Sequence, residues 1–202
     1  MNSEELIKLG TGVSVEFLPA MEDQYRVAQI LVSFANSKGG SLFIGVKKNG
    51  KICGIHPDHE LMYLDEVLHL IEGEVNLSHS VHQIRHYLVL EITIEQSLKS
   101  VRVKSPDGKW HHYIRVESET IMSNKIVSRF LYMRDSHQAV VLSDDHTVLL
   151  NELKHGMLNL SMLYKLTSFK PKEIDKFLSE LLVLNLIDYQ YRNETFYYFC
   201  LE

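Results

Sequence analysis

The sequence predicts an α+β protein in two units, on three observations. Apolar residues at helical spacing stop at a Gly-Gly pair and give way to a strand; strand-like segments then follow one another through the middle of the chain; and the last third changes to short helices that end in a hairpin.

Taken in order, the chain starts with a short helix expected near Glu4 to Lys8 and a strand at Val13 to Phe17. Val27, Ile30, Leu31 and Phe34 recur at helical spacing and predict a helix over about Glu22 to Asn36. It ends at Gly39-Gly40, where a residue without Cβ takes the left-handed turn that closes a helix. Leu42, Phe43, Ile44 and Val46 supply the next strand, Asn49-Gly50 reads as a two-residue hairpin turn, and Lys51 to Ile55 reads as the returning strand. A helix is expected from about Asp58 to Glu74, then two strands between Val81 and Ile94 that meet near His86-Tyr87. Val101 to Lys104 and Lys109 to Val116 flank a Ser105-Pro106-Asp107-Gly108 turn, and Ser123 is expected to cap a helix carrying Ile126, Val127, Phe130 and Leu131.

The pattern changes between Asp135 and Asp145. Acids at Asp144-Asp145 precede an apolar helical run at Val148 to Leu153, a second helix is expected near Leu160 to Leu166, and a third from Lys172 to about Leu184. Ile187 to Tyr191 and Thr195 to Leu201 then read as strands around an Arg192-Asn193-Glu194 turn. Three helices and a hairpin in this order resemble a winged helix-turn-helix domain, with Asn185 at the left-handed position where Gly is usual. The alternative is a helical tail whose hairpin packs on the first domain or on a second copy. The boundaries predicted are residues 1–135 and 136–202.

The segment Phe34-Ala35-Asn36-Ser37-Lys38-Gly39-Gly40-Ser41-Leu42-Phe43-Ile44-Gly45-Val46, with Val15-Glu16-Phe17 before it and His112-Tyr113-Ile114-Arg115-Val116 after it, carries a family likeness. It resembles the AlbA-like DNA-binding domain family, the divergent group related to the Schlafen core, over roughly residues 10 to 133. The resemblance implies a mixed sheet-and-helix domain and a role with nucleic acid. Relatives of the Schlafen type that cleave RNA hold a divalent metal on a carboxylate cluster. Its members are a Glu about five residues before the strand glutamate, that glutamate itself, and an acid in or near the hairpin. Glu16 matches the middle position, but Thr11 stands at the first, Leu18 replaces the motif lysine, and Lys47 and Lys48 occupy the places of hairpin acids. Lysine repels such a cation and one carboxylate cannot hold it, so no nuclease chemistry, no metal and no cofactor are expected. Glu16 is read as a structural residue, hydrogen-bonded or paired with a nearby Lys.

Composition bounds the partners. With 45% hydrophobic and 23% charged residues the chain can bury a real core, and its formal net charge of -5 excludes a whole-surface attraction to nucleic acid. Any such binding needs a local patch. No apolar run approaches the roughly 20 residues that span a bilayer, and the start of the chain has no signal-peptide pattern. A cytoplasmic protein without a membrane partner is expected. Cys53 and Cys200 read as buried, reduced thiols within strands.

Three basic clusters are the candidate nucleic-acid contacts. With Asn49-Gly50 as the turn, Lys48 and Lys51 would face each other across the hairpin and Lys38 and Lys47 would add to them, a repulsion that a phosphate relieves. A solvated turn that keeps a sheet edge soluble explains the same lysines equally well. Alternation then places Arg102 and Lys104 on one face of a strand and Lys109, His111, Tyr113 and Arg115 on one face of its partner, with Trp110 turned to the core. Lys170 and Lys172 open the third helix of the second domain, though residues 136–202 hold six Lys or Arg against nine Asp or Glu.

Three motifs are set aside. Gly45 to Lys51 has the glycine and lysine spacing of a P-loop, but Ile52 replaces the metal-binding hydroxyl and no helix follows. The cluster His56, His59, His79, His82 and His86 lacks a completing Cys or acid, and no nucleophile elbow supports Ser/His/Asp catalysis. The expected function is therefore a non-enzymatic nucleic-acid-binding protein and transcriptional regulator, with DNA ahead of RNA. A protein-interaction or dimerisation module and a divergent Schlafen-type RNA endonuclease are the alternatives. No residue fixes whether the chain forms a homodimer.

Overall fold

The computed structural model describes Glu5, Ile7, Lys8 and residues 10–201. The helix expected near residues 4–8 falls partly outside them; Glu5, Ile7 and Lys8 are helical. The chain divides into two compact units between Ser123 and Asn124. This division precedes the helix that the sequence assigns to the first domain, because that helix packs against the long helix of the second.

The first unit is built on β1 (Val15–Leu18), α1 (Gln24–Asn36) and β2 (Gly40–Ile44). β1 and β2 pair in parallel, and the chain between them crosses over as α1, which Asp23 caps by accepting from the Arg26 N–H at 2.9 Å. α2 (Pro57–Leu68), β3 (Ile71–Glu72), β4 (Leu77–Ile84) and β5 (Tyr87–Ile94) follow, and the main sheet has the order β1-β2-β5-β4. Alternation sorts the sheet's residues. Leu42, Ile44, Leu90 and Ile92 meet Val27, Ile30, Leu31 and Phe34 of α1 on one face, while Phe17, Phe43, Val46 and Val89 cluster on the other. Each of these fully buried side chains stabilises the fold by about 1.5–3 kcal/mol relative to exposure.

The remaining strands are β6 (Arg102–Lys104), β7 (Trp110–His111), β8 (Tyr113–Val116) and β9 (Glu119–Met122). β3, β6 and β7 form one small sheet and β8 and β9 another. Helix α2 stops at Leu68 where the periodicity predicts continuation to Glu74, since Ile71 and Glu72 pair instead with Val103 and Arg102. The return from the first hairpin is a single bridge between Val46 and Ile52 and not the strand expected over Lys51 to Ile55. Cys53 therefore lies outside the strands, and both cysteines are free thiols, half-buried where burial was expected.

The Gly-Gly stretch at the end of α1 has a physical basis. Gly39 adopts φ +75°, and a Cβ there would stand 2.6 Å from the Ile94 carbonyl oxygen, so only glycine closes the helix onto the sheet. The buried Asn36 donates to the carbonyls of Val101 and Tyr113 at 2.9 Å each and accepts from the Val101 N–H at 2.8 Å. One amide thus binds the end of α1 to the residue that precedes β6 and to the first residue of β8.

The second unit contains α3 (Lys125–Asp135), α4 (Asp144–Leu153), β10 (Leu158–Asn159), α5 (Leu160–Leu166), α6 (Pro171–Val183), β11 (Ile187–Arg192) and β12 (Thr195–Cys200), with sheet order β10-β12-β11. Asn124, not Ser123, caps α3: its Oδ1 accepts from Ile126 and Val127 while its amide donates to the Tyr198 hydroxyl at 2.8 Å. Leu149, Leu163, Ile174, Leu178 and Leu181 form the buried interior with Tyr198. Asn185 takes φ 54°, the left-handed state expected of it, and Asn193 and Glu194 take φ 48° and 58° at the tip of the β11-β12 hairpin.

Replacing Asn36 by Ala leaves two buried carbonyls and an N–H without their partner. The expected loss is about 2–4 kcal/mol, read as a lower urea midpoint by fluorescence of the single tryptophan, Trp110, which belongs to the first unit.

Candidate functional site

The centre of the first unit is an ion pair that the sequence placed differently. Glu16 stands on the same face of the main sheet as Leu42, its register partner, and is buried at the edge of α1. Arg115, expected on an exposed ribbon, is instead buried, with 0% of its side chain accessible. Its Nη1 donates to Glu16 Oε2 at 2.8 Å and to Thr120 Oγ1 at 3.2 Å. Nη2 donates to the carbonyls of Gly12 at 2.7 Å and Val15 at 3.1 Å, and Nε to Gly12 at 3.1 Å. All five guanidinium hydrogens are thereby used, and the plane lies 4.9 Å from the Phe34 ring centroid. His112 separates β7 from β8, and Tyr113, Ile114 and Arg115 of β8 are all buried.

Glu16 also borders a cavity of about 350 Å³ with Thr11, Arg26, Lys48, Glu119 and Thr120. Its donor set holds two carboxylates and two cations. One Glu16 oxygen is held by Arg115 and the other accepts from the Phe17 N–H at 3.2 Å. A divalent cation requires several anionic oxygens, and both oxygens of Glu16 are already engaged. Among the described residues no group of three or more His, Cys, Asp or Glu is arranged to hold a metal ion.

The hairpin turn is shifted by one residue from the one expected. Gly50 N–H donates to the Lys47 carbonyl at 2.8 Å and Lys47 N–H to the Lys51 carbonyl at 2.9 Å, with Gly50 at φ +79°. Lys48 and Asn49 are therefore the central residues and Gly50 the bulge position, so Lys51 faces Lys47 and not Lys48. Lys38 precedes β2 and the other three lysines follow it, a separation of about 14 Å along the strand at ~3.4 Å per residue. The four lysines do not form one cluster.

The basic ribbon is differently composed as well. Lys104 opposes Trp110 in the register, and its Nζ lies 5.9 Å from that ring, so the half-exposed Trp110 shares the outer face with the cation and is no core anchor. Arg102 pairs with Glu72 on the neighbouring strand. Lys109 pairs with Asp107 at 2.7 Å; the Lys109 hydrogen bond and that of Ser105 hold the Asp107 carboxyl far below its ordinary range. These exposed pairs are weak.

In the second unit Lys170 and Lys172 are exposed at the start of α6. The two acids beside them are occupied locally: Glu173 accepts from the Lys170 backbone N–H at 2.7 Å, and Asp175 pairs with Lys125 at 2.5 Å. Ser80, His82 and Glu91 also meet, yet hydroxyl and carboxylate both contact the same His82 Nε2, which leaves no relay through the ring.

A family model, Schlafen AlbA_2, matches residues 13–123, the described sheet-and-helix unit up to its last residue. The chain belongs to the Schlafen AlbA_2 family. No curated protein matches the sequence. Among solved structures the DIP2311 protein from Corynebacterium diphtheriae is similar at a TM-score of 0.43 and 15% identity, over 60% of this chain and 27% of that one. This chain thus spans about a quarter of that protein's length. In the Schlafen AlbA_2 unit, Arg26 and Glu119 line the Glu16 cavity without having been foreseen. Glu119 lies on β9, a strand too short and polar to show in the sequence, and Arg26 lies in the first turn of α1.

Arg115→Met is expected to destabilise the AlbA_2 unit by about 3–5 kcal/mol by stranding Glu16. The double variant with Glu16→Leu recovers part of that loss. Urea denaturation of both proteins checks the sign of the coupling.

Proposed function

We propose that this chain is a non-enzymatic nucleic-acid-binding protein of the transcriptional-regulator kind, whose second unit is a winged helix that contacts DNA. The observation that carries the reading is the start of α6, where Lys170 and Lys172 are exposed while Glu173 and Asp175 are engaged in a cap and an ion pair. The order helix, strand, helix, helix, hairpin around the sheet β10-β12-β11 supports the winged-helix assignment. In it α6 is the recognition helix, its two lysines meet phosphate, and Arg192 at the hairpin tip meets the backbone beside it. In the first unit Lys47 and Lys48 at the hairpin tip and Lys104 on the outer strand face extend the contact, with Lys38, Lys51, Arg102 and Lys109 as secondary cations. Arg115 serves the fold.

A non-catalytic role is supported by the Glu16 carboxylate, whose two oxygens are bonded to Arg115 and to the Phe17 N–H. The acidic excess of residues 136–202 favours a second reading, an interaction module that engages protein.

Titration of duplex DNA at several salt concentrations separates the two. The first reading expects a steep linear dependence of log affinity on log salt, with a slope shallower by about 2 in the Lys170→Glu, Lys172→Glu variant. An unchanged slope removes α6 from the interface, and self-association without any DNA affinity supports the interaction module.

A further inference from the structure

Beside the hairpin, on the side away from Glu16, a cavity of about 680 Å³ opens in the first unit. Its walls are the tip residues Asn49 to Ile52, the β4-β5 turn at Arg85-His86, and the segment at Lys8. Among the described residues that line it there is no Asp or Glu. No ion pair engages the side chains of Lys8, Lys51 or Arg85 among the described residues, in contrast to the paired cations of the outer strands. Three cations without an ion pair among the described residues therefore border one concavity in a chain whose net charge is negative.

Two features give the site a second chemistry. Tyr87 is 37% exposed, its ring 4.2 Å from that of His86, and it rests against Gly54, where a Cβ would stand 2.8 Å from Cδ1. Ile52 adds an apolar wall. Arg85 meanwhile holds φ 56° at the first position of a two-residue hairpin loop, where Gly, Asn or Asp would be relaxed. A long cationic side chain is kept there against the backbone's preference.

We propose that this cleft binds a nucleoside phosphate, the phosphate held by Lys8, Lys51 and Arg85 and the base laid on the Tyr87 ring. A volume of this size suits a ligand with a base and sugar and far exceeds a bare phosphate. The chemistry is shared by a free nucleotide and by the terminal nucleotide of a single strand. The proposal goes beyond the nucleic-acid reading above and rests on it only for the polymeric source.

Calorimetric titration of the full chain with adenosine monophosphate, adenosine, inorganic phosphate and a short 5′-phosphorylated single strand tests it. Binding of the monophosphate or of the strand is expected, weakened about tenfold or more by Arg85→Gly and by Lys51→Ala, as for loss of a charged hydrogen bond. Arg85→Gly relaxes the loop, so its thermal midpoint holds and lost affinity is not lost folding. Tyr87→Leu is expected to weaken the monophosphate and leave inorganic phosphate unchanged. Tighter binding of the strand identifies a terminal nucleotide, and tighter binding of the monophosphate a free one. The proposal is overturned if neither ligand binds, if Arg85→Gly and Lys51→Ala bind as wild type, or if phosphate alone binds as well as the monophosphate. Duplex binding that depends on Lys170 and Lys172 but not on Arg85 would leave the proposed function standing while the cleft fails.

Discussion

Five N–H groups on the Arg115 guanidinium have to find acceptors inside the protein, and where they find them determines how the first unit closes. The carbonyls of Gly12 and Val15 lie where the chain enters β1, Glu16 is on β1 itself, and Thr120 is on β9. One side chain therefore ties the first strand of the unit to its last hairpin. The Arg115 backbone N–H adds a further bond, to Ser37 Oγ at 2.8 Å just past the end of α1. Burying a charge of this kind is costly without full hydrogen bonding, so the surrounding geometry is strictly constrained. The same arrangement determines what Glu16 can do. A carboxylate committed to a guanidinium stabilises structure and has little capacity left for a cation.

Features set by neighbours in sequence were legible, and features set by distant pairing were not. The left-handed turn at Gly39, the acidic start of α4 and the left-handed Asn185 follow from local stereochemistry, and all are present. By contrast, Leu70 and Ile71 continue a helical pattern and still leave the helix, because β6 offers Ile71 a strand partner. Alternation placed Arg115 outside and Trp110 inside. Both assignments are reversed together: Trp110 opposes Lys104 on the outer face, and Arg115 is buried on Glu16. Alternation says which residues share a face, and not which face meets the core. The motif itself was recognised, but its reason, the three hydrogen bonds of Asn36, needed the fold.

Charge behaves similarly. A list of basic residues says where cations are, and not which of them are already balanced. Arg102 and Lys109 have carboxylate partners on their own small sheet or its turn, while Glu173 and Asp175, which counted against nucleic acid at the start of α6, are themselves engaged. The unfavourable acid count of residues 136–202 thus overstates the repulsion at that helix end. Local pairing, more than net charge, decides where a polyanion can approach.

The hairpin tip shows how one residue of register changes a site. A two-residue Asn49-Gly50 turn would set Lys48 against Lys51 and make a single repulsive pair. With Gly50 as the bulge residue the two separate: Lys48 borders the cavity that contains Glu16 and Glu119, and Lys51 borders the one that has no acid in its described lining. The two concavities flank one turn and differ in the carboxylates that line them. In the first, Glu16 and Glu119 stand beside Arg26 and Lys48; in the second, Lys8, Lys51 and Arg85 have no ion pair among the described residues. The lining of the Tyr87 side, without a described acid, is therefore the one on which the nucleotide proposal rests.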